Sequence, residues 1–411
     1  MTLKRKICAR MKHYLLLLSL CLLAVVDAAA VKERPIYTFT GTSDGEYPTS
    51  LIADAAGNLY GVTEFTANYG PGTIFELVRS DSGYAFKVLY TFDGIVGYMA
   101  DGPLALDTKG NLYGTSSTGG DYYKGSVFEL SPSQGGSWTL STLYSFSGGA
   151  DGAFPLGGVI VDDAGNLYGT ASEGGLLSDC DGAGCGVVFE VSSGIAGGWT
   201  QTTLHGFAEI EGALPSSGLI FGANRTLYGT TVEGGTNGYG TVFEVAPFQG
   251  GWTETTLHSF SDQESAPAGG LTLNHGRLFG MTMLGGTRNA GTVFELSRTK
   301  SGAVESIVHN FSGRSGGTIP IGSVVFDERG NLYGSASEGG NSGCDSNQGC
   351  GAIFELTPSN GKWTETILHQ FSGGDDGGNP YGTPIIIGTG LFGIAGEYGL
   401  NGYGLVFALT P

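Results

Sequence analysis

The stretch "AGNLYGT" at residues 164–170 has near-copies at Asn58, Asn111 and Asn331. Weaker echoes read "RTLYGT" from Arg225, "GRLFGM" from Gly276 and "TGLFGI" from Thr389. A chain that writes one phrase seven times is a repeat protein, and the period of the phrase selects the architecture. Around the copy at 164–170 the pattern extends from Pro155 to Phe207. "GGVIVDD" is a β-branched run, "AGN" a tight turn and "LYGTAS" a second run. A glycine-rich loop, "GVVFEV", a short loop and "WTQTTLHGF" follow. Short β-branched or alternating runs between Gly/Asn/Asp clusters read as hairpin-linked strands. Each copy is therefore a four-stranded antiparallel meander, with strands a, b, c and d.

The strand-b aromatics Tyr60, Tyr113, Tyr168, Tyr228, Phe279, Tyr333 and Phe392 lie 51 to 60 residues apart, a spacing of β-propeller blades. Strand d follows strand c six times, as "LYTF", "LYSF", "LHGF", "LHSF", "VHNF" and "LHQF". After the seventh strand c, "GLVFALTP", the missing strand is found at the other end, as "IYTF" at Ile36–Phe39. The expectation is an all-β, seven-bladed propeller over residues 31–411, a single domain closed by its N-terminal strand, so that no blade is left with a bare edge.

Composition agrees. The 411 residues include 75 glycines but only 14 prolines, and 11% aromatics supply a core, so the glycines mark turns. Residues 1–30 read as a signal peptide. Lys4, Arg5, Lys6, Arg10 and Lys12 precede the apolar run Tyr14–Val26, and "DAAA" offers cleavage after Ala30. Without them the formal charge of −19 becomes −23, a surface that repels nucleic acid and anionic membranes. A secreted monomer with no membrane span is expected. Four cysteines remain after cleavage, in "CDGAGC" (Cys180, Cys185) and "CDSNQGC" (Cys344, Cys350). Two small disulfide loops in an oxidising compartment fit this spacing, with a shared four-cysteine zinc site as the alternative.

"TLYGTTVEGGTNGYGTVFEV" and "GGWTETTLHSF" resemble the units of the bacterial GloVer tandem repeat proteins, and the resemblance runs from Ile36 to the C-terminus. It implies an exported protein, often held at the cell surface by a C-terminal sorting segment. No apolar tail follows Pro411 in this sequence, so release is the expectation here.

Residues present in nearly every unit belong first to the scaffold. These are the Glu series of strand c (Glu76, Glu129, Glu190, Glu244, Glu295, Glu355), the strand-d histidines His205, His258, His309 and His369, and the four tryptophans that open strand d. No G-x-x-x-x-G-K-[ST] phosphate-binding loop occurs in the sequence. Candidate binding residues sit in the long d–a and b–c loops, which share one face of a propeller. Asp44, Asp101, Asp151, Glu211, Glu264 and Asp376 precede the repeated prolines and suit turns. Glu173, Glu233, Glu338 and Glu397 end strand b, where they could bind calcium or accept hydrogen bonds from sugar hydroxyls. Tyr69, Tyr122, Tyr123, Tyr239 and Tyr398 offer stacking surfaces. Blade 5 breaks the acid pattern with Leu284 and Arg288, and the next d–a loop carries Arg314 in place of an acid. Two guanidinium groups on one face would suit a carboxylate-bearing ligand. The leading reading is an extracellular binding or scaffold module for a glycan or a protein. A carbohydrate-active enzyme using two loop carboxylates and a purely structural envelope protein are the alternatives.

Overall fold

In a computed structural model of the chain, Gly169 of the quoted phrase lies opposite Phe189 of the neighbouring strand. A Cβ on Gly169 would stand 2.6 Å from the Phe189 ring. The same clash would arise at Gly61, Gly114, Gly229, Gly280, Gly334 and Gly393, each with the "VFE"-type phenylalanine of its own blade. The phrase repeats because every blade lays one Phe ring across a bare backbone. The structure describes residues 31–410 apart from 96, 134, 195–196, 268, 300–301, 314–315, 342 and 345–347.

The described strands form seven small antiparallel sheets, the blades of a β-propeller, and one two-stranded pair, Glu264–Ser265 with Leu284–Gly285. Blade 3 shows the plan: strand a is Val159–Val161, b Leu167–Ala171, c Val187–Ser193 and d Trp199–Gly206. Blade 7 takes a, b and c from Gly378–Ile387, Gly390–Glu397 and Leu405–Thr410. Its fourth strand is the N-terminal Lys32–Thr38, paired antiparallel with Leu405–Thr410. The ring is closed as the sequence leads one to expect.

Blades are joined by aromatic rings. Phe207, at the end of strand d of blade 3, meets Phe243 of blade 4 edge-on at 4.9 Å. Equivalent pairs span every other joint: Phe260–Phe294, Phe311–Phe354, Phe371–Phe407, Phe39–Phe75, Phe92–Phe128 and Phe146–Phe189, at 5.1 to 5.6 Å. All fourteen rings are at most 3% exposed. Each such ring removes apolar surface worth about 2 to 3 kcal/mol from water, and the edge-on pairing adds roughly 1 kcal/mol. The repeated prolines serve the same joints. Pro215 of blade 4 sits over Gly186 of blade 3 (φ 98°), 2.5 Å from where a Cβ would project.

The strand-c glutamates prove structural. Asp162 caps the a–b turn by accepting from the backbone N–H groups of Ala164 and Asn166, and Asn166 Nδ2 donates to its other oxygen. Tyr168 Oη then bridges Asp162 and Glu190, each at 3.2 Å. Blades 1, 2 and 6 repeat this clamp with Tyr60, Tyr113 and Tyr333. In blade 7 Phe392 faces Ala408, so hydroxyl and carboxylate are absent together.

Candidate functional site

In every blade, strand d carries a bulge against strand c, and the bulged residue (Leu204 in blade 3) points inward, 8% exposed. The bulge re-aims the next side chain to the rim of the ring, where the Tyr or His of the "LYSF" and "LHGF" phrases stands. There it meets the acid of the following d–a loop. Asp44 accepts from Tyr37 Oη at 2.9 Å and from Thr40, and Asp151 accepts from Tyr144 Oη at 2.9 Å and from Ser147. His205 Nε2 lies 3.0 Å from Glu211, and His369 Nε2 lies 3.1 Å from Asp376. These hydrogen bonds hold the Asp44 and Asp151 carboxyls below their usual range against the opposing effect of burial. Most of the first acid series therefore locks loops to strand d. Asp101 differs: it accepts from Ser117 N–H and Oγ, and burial pushes it up to about 6.

Two concavities open among the d–a and b–c loops. The larger, about 730 Å³, lies along strand d of blade 2, between the d–a loops that flank that blade. Its walls include Ile95, Asp121, Tyr122, Tyr144, Ser145, Ser147 and Asp151. Tyr122 is 60% exposed, and Asp121 makes no hydrogen bond to a described residue, whereas Asp151 is already engaged. The smaller, about 150 Å³, lies where the inner strands of blades 7 and 1 meet, between Tyr47, Glu64, Tyr381 and Glu397. Burial raises the Tyr381 phenol, helped by the charges of Glu397, Glu64 and Glu338, and burial also raises Glu64 and Glu338.

The candidates named from sequence thus divide. Glu338 and Glu397 come together around Tyr381, and Asn379 Nδ2 donates to Glu397 at 2.8 Å. Glu64 joins them but was missed, because in blade 1 the acid stands one position earlier in the repeat. Among the described residues these three carboxylates form no group whose oxygens lie within 4.8 Å of one another, the spacing a shared calcium needs. Glu173 and Glu233 are held by backbone bridges to Ala153 and Ala213, in blades 3 and 4. Tyr239 is exposed on blade 4, while Tyr398 packs on the core cluster that contains Cys344 and Cys350. Arg288 is exposed on blade 5 and forms no ion pair with a described residue. Arg314, its expected partner in a cationic notch, lies outside the described residues, as does the signal peptide 1–30. The cysteines form two separate disulfides, Cys180–Cys185 and Cys344–Cys350, and no shared four-cysteine site.

The fold and its loops define a seven-bladed β-propeller built from one tandem unit. The chain belongs to the Gloeobacter/Verrucomicrobia repeat family, whose model matches residues 26–194 and 141–346. No curated protein matches it. Among solved structures it is similar to the extracellular domain of a provisionally assigned one-component system, BT4673, of B. thetaiotaomicron, at 11% identity and a TM-score of 0.54. That match covers 92% of this chain and 42% of the other. It is also similar to a provisionally assigned 6-phosphogluconolactonase of Bacteroides uniformis, at 12% identity and a TM-score of 0.48 over 77% of this chain and 83% of that one. A Dyadobacter fermentans protein of unknown function matches at 10% identity and a TM-score of 0.47, covering 93% and 98% of the two chains. At such identities the likeness concerns the fold alone.

Proposed function

We propose that the chain is an exported binding propeller whose groove along strand d of blade 2 receives a polar, hydroxyl-rich ligand of the glycan class. Two disulfides and the basic-then-apolar N-terminus support export. Among the described residues no helix is long and apolar enough to cross a membrane. The observation that carries the binding reading is the exposed Tyr122 ring beside the uncommitted Asp121 carboxylate in a groove walled by Ser145 and Ser147. An aromatic face with a few placed polar groups is what a sugar-sized ligand needs, and loops on a rigid frame supply it without disturbing the core.

The test is glycan-array binding and calorimetry on residues 31–411, with and without calcium. Tyr122→Ala with Asp121→Asn should weaken binding at least tenfold and leave the melting temperature unchanged. Arg288→Ser in parallel reports whether blade 5 contributes a contact to an acidic glycan. Affinity unmoved by the groove variant would sink the assignment, and turnover of a bound glycan would replace binding with catalysis by loop carboxylates.

A further inference from the structure

Two blade joints gather more than a pair. At the joint of blades 3 and 4, His205, Glu211 and Glu254 bring an imidazole nitrogen and two carboxylate oxygens within 4.8 Å of one another. The joint of blades 4 and 5 does the same with His258, Glu264 and Glu305. The parts are the same in both: the histidine after the strand-d bulge, the acid of the next d–a loop, and an acid on strand d of the following blade. A histidine and an acid six residues apart thus meet an acid from the following blade, twice, with the same chemistry.

We propose that these two joints are divalent transition-metal sites, each offering one histidine nitrogen and two carboxylate oxygens, with the remaining positions left to water or an outside ligand. One imidazole cannot satisfy two carboxylates. Glu305 Oε2 lies 3.2 Å from His258 Nε2, but its Oε1 is buried and makes no hydrogen bond to a described residue. Two acids crowded together in this way lack a positive charge, and a bound cation would supply it. The mixed N/O donor set suits zinc, cobalt or nickel better than calcium, which prefers oxygen alone. His258 and Glu305 side chains are 23% and 13% exposed, so a hydrated ion can enter and keep part of its water.

The ring supplies its own controls. His309 and Glu365 pair at 3.2 Å across the joint of blades 5 and 6, where the d–a loop has no acid in its sequence. His369 and Asp376 pair at 3.1 Å, but Glu33 of the next strand d does not complete a three-donor group with them. Both joints should therefore hold no zinc.

The experiment is zinc titration of metal-stripped residues 31–411 by calorimetry, with bound metal counted after gel filtration. Two equivalents are expected, falling to one in either Glu211→Gln or Glu264→Gln and to none in the double variant. Glu365→Gln should leave the count at two. Should a glutamine variant fail to fold, the histidine of the same joint replaces it, His205→Gln for Glu211→Gln and His258→Gln for Glu264→Gln, with circular dichroism as the check. Any other stoichiometry in the wild type, or zinc retained by the double variant, overturns the proposal.

Discussion

His309 Nε2 stands 3.2 Å from Glu365 Oε1 across the joint between blades 5 and 6. This pair is one member of a rule that governs all seven joints. Where strand d presents His, the next blade answers with an acid four positions before its own His or Tyr: Glu254 to His205, Glu305 to His258, Glu365 to His309 and Glu33 to His369. Where strand d presents Tyr, the answer is Phe86 to Tyr37, Leu140 to Tyr90 and Gln201 to Tyr144. A phenol has one proton to donate, and in two of these joints the loop acid takes it. A second carboxylate would be left half-buried with no partner, whereas at a His joint a ring nitrogen faces it, as His258 faces Glu305 and His309 faces Glu365.

Gln201→Glu tests the rule with almost no change of shape. Gln201 Nε2 donates to the Asp151 carbonyl at 3.2 Å, and a carboxylate there would face Asp151 with only the Tyr144 hydroxyl between them. The single variant should lose about 1 to 2 kcal/mol in urea unfolding at pH 6, and Tyr144→His should restore most of it. Additive losses in the double variant would mean that the two positions do not communicate.

Tyr168→Phe should cost about 1 to 2 kcal/mol, because Asp162 and Glu190 lose their shared donor and Arg225 Nη2 loses the hydroxyl it reaches at 2.6 Å. Adding Glu190→Ala should recover part of the loss, imitating Phe392 opposite Ala408 in blade 7. A loss as large in the double variant as the sum of both singles argues against the clamp.

Removing Lys32–Thr38 strips the outer strand from Leu405–Thr410 and bares a sheet edge. The shortened chain should melt several degrees lower and scatter light on standing, since exposed edges template association. An unchanged melting curve and a clear solution would show that closure contributes nothing.

Asp101 gives a pH signature of unusual sign. Burial raises its folded pKa from 3.8 to about 6, so between these values the folded state binds more protons than the unfolded one. Its contribution to stability is greatest below pH 4 and is lost as pH rises to about 6, by at most about 3 kcal/mol. Asp101→Asn keeps an acceptor for Ser117 N–H and should flatten that part of the stability curve. A curve of identical slope in the variant would assign the effect elsewhere.

The repeat, the blade count and the closing strand were legible in the sequence because each joint needs the same Phe over the same Gly, and that demand recurs at a regular interval. The strand-c glutamates and the tyrosines of "LYG" were legible as scaffold for the same reason. The disulfide spacing was also readable, since each bridge closes over neighbours in the chain. The joint acids Glu254, Glu305 and Glu365 were not, because each acts on a histidine of another blade. Their signal was present as a covariation between successive repeats, which a reading of one repeat at a time passes over. Only the tertiary structure decided which loop carboxylates are already engaged, as Asp44 and Asp151 are, and which are gathered, as Glu64, Glu338 and Glu397 are. Spacing along a chain assigns a residue to a strand or a loop. Whether its charge meets a partner depends on what the adjoining blade brings to the same place.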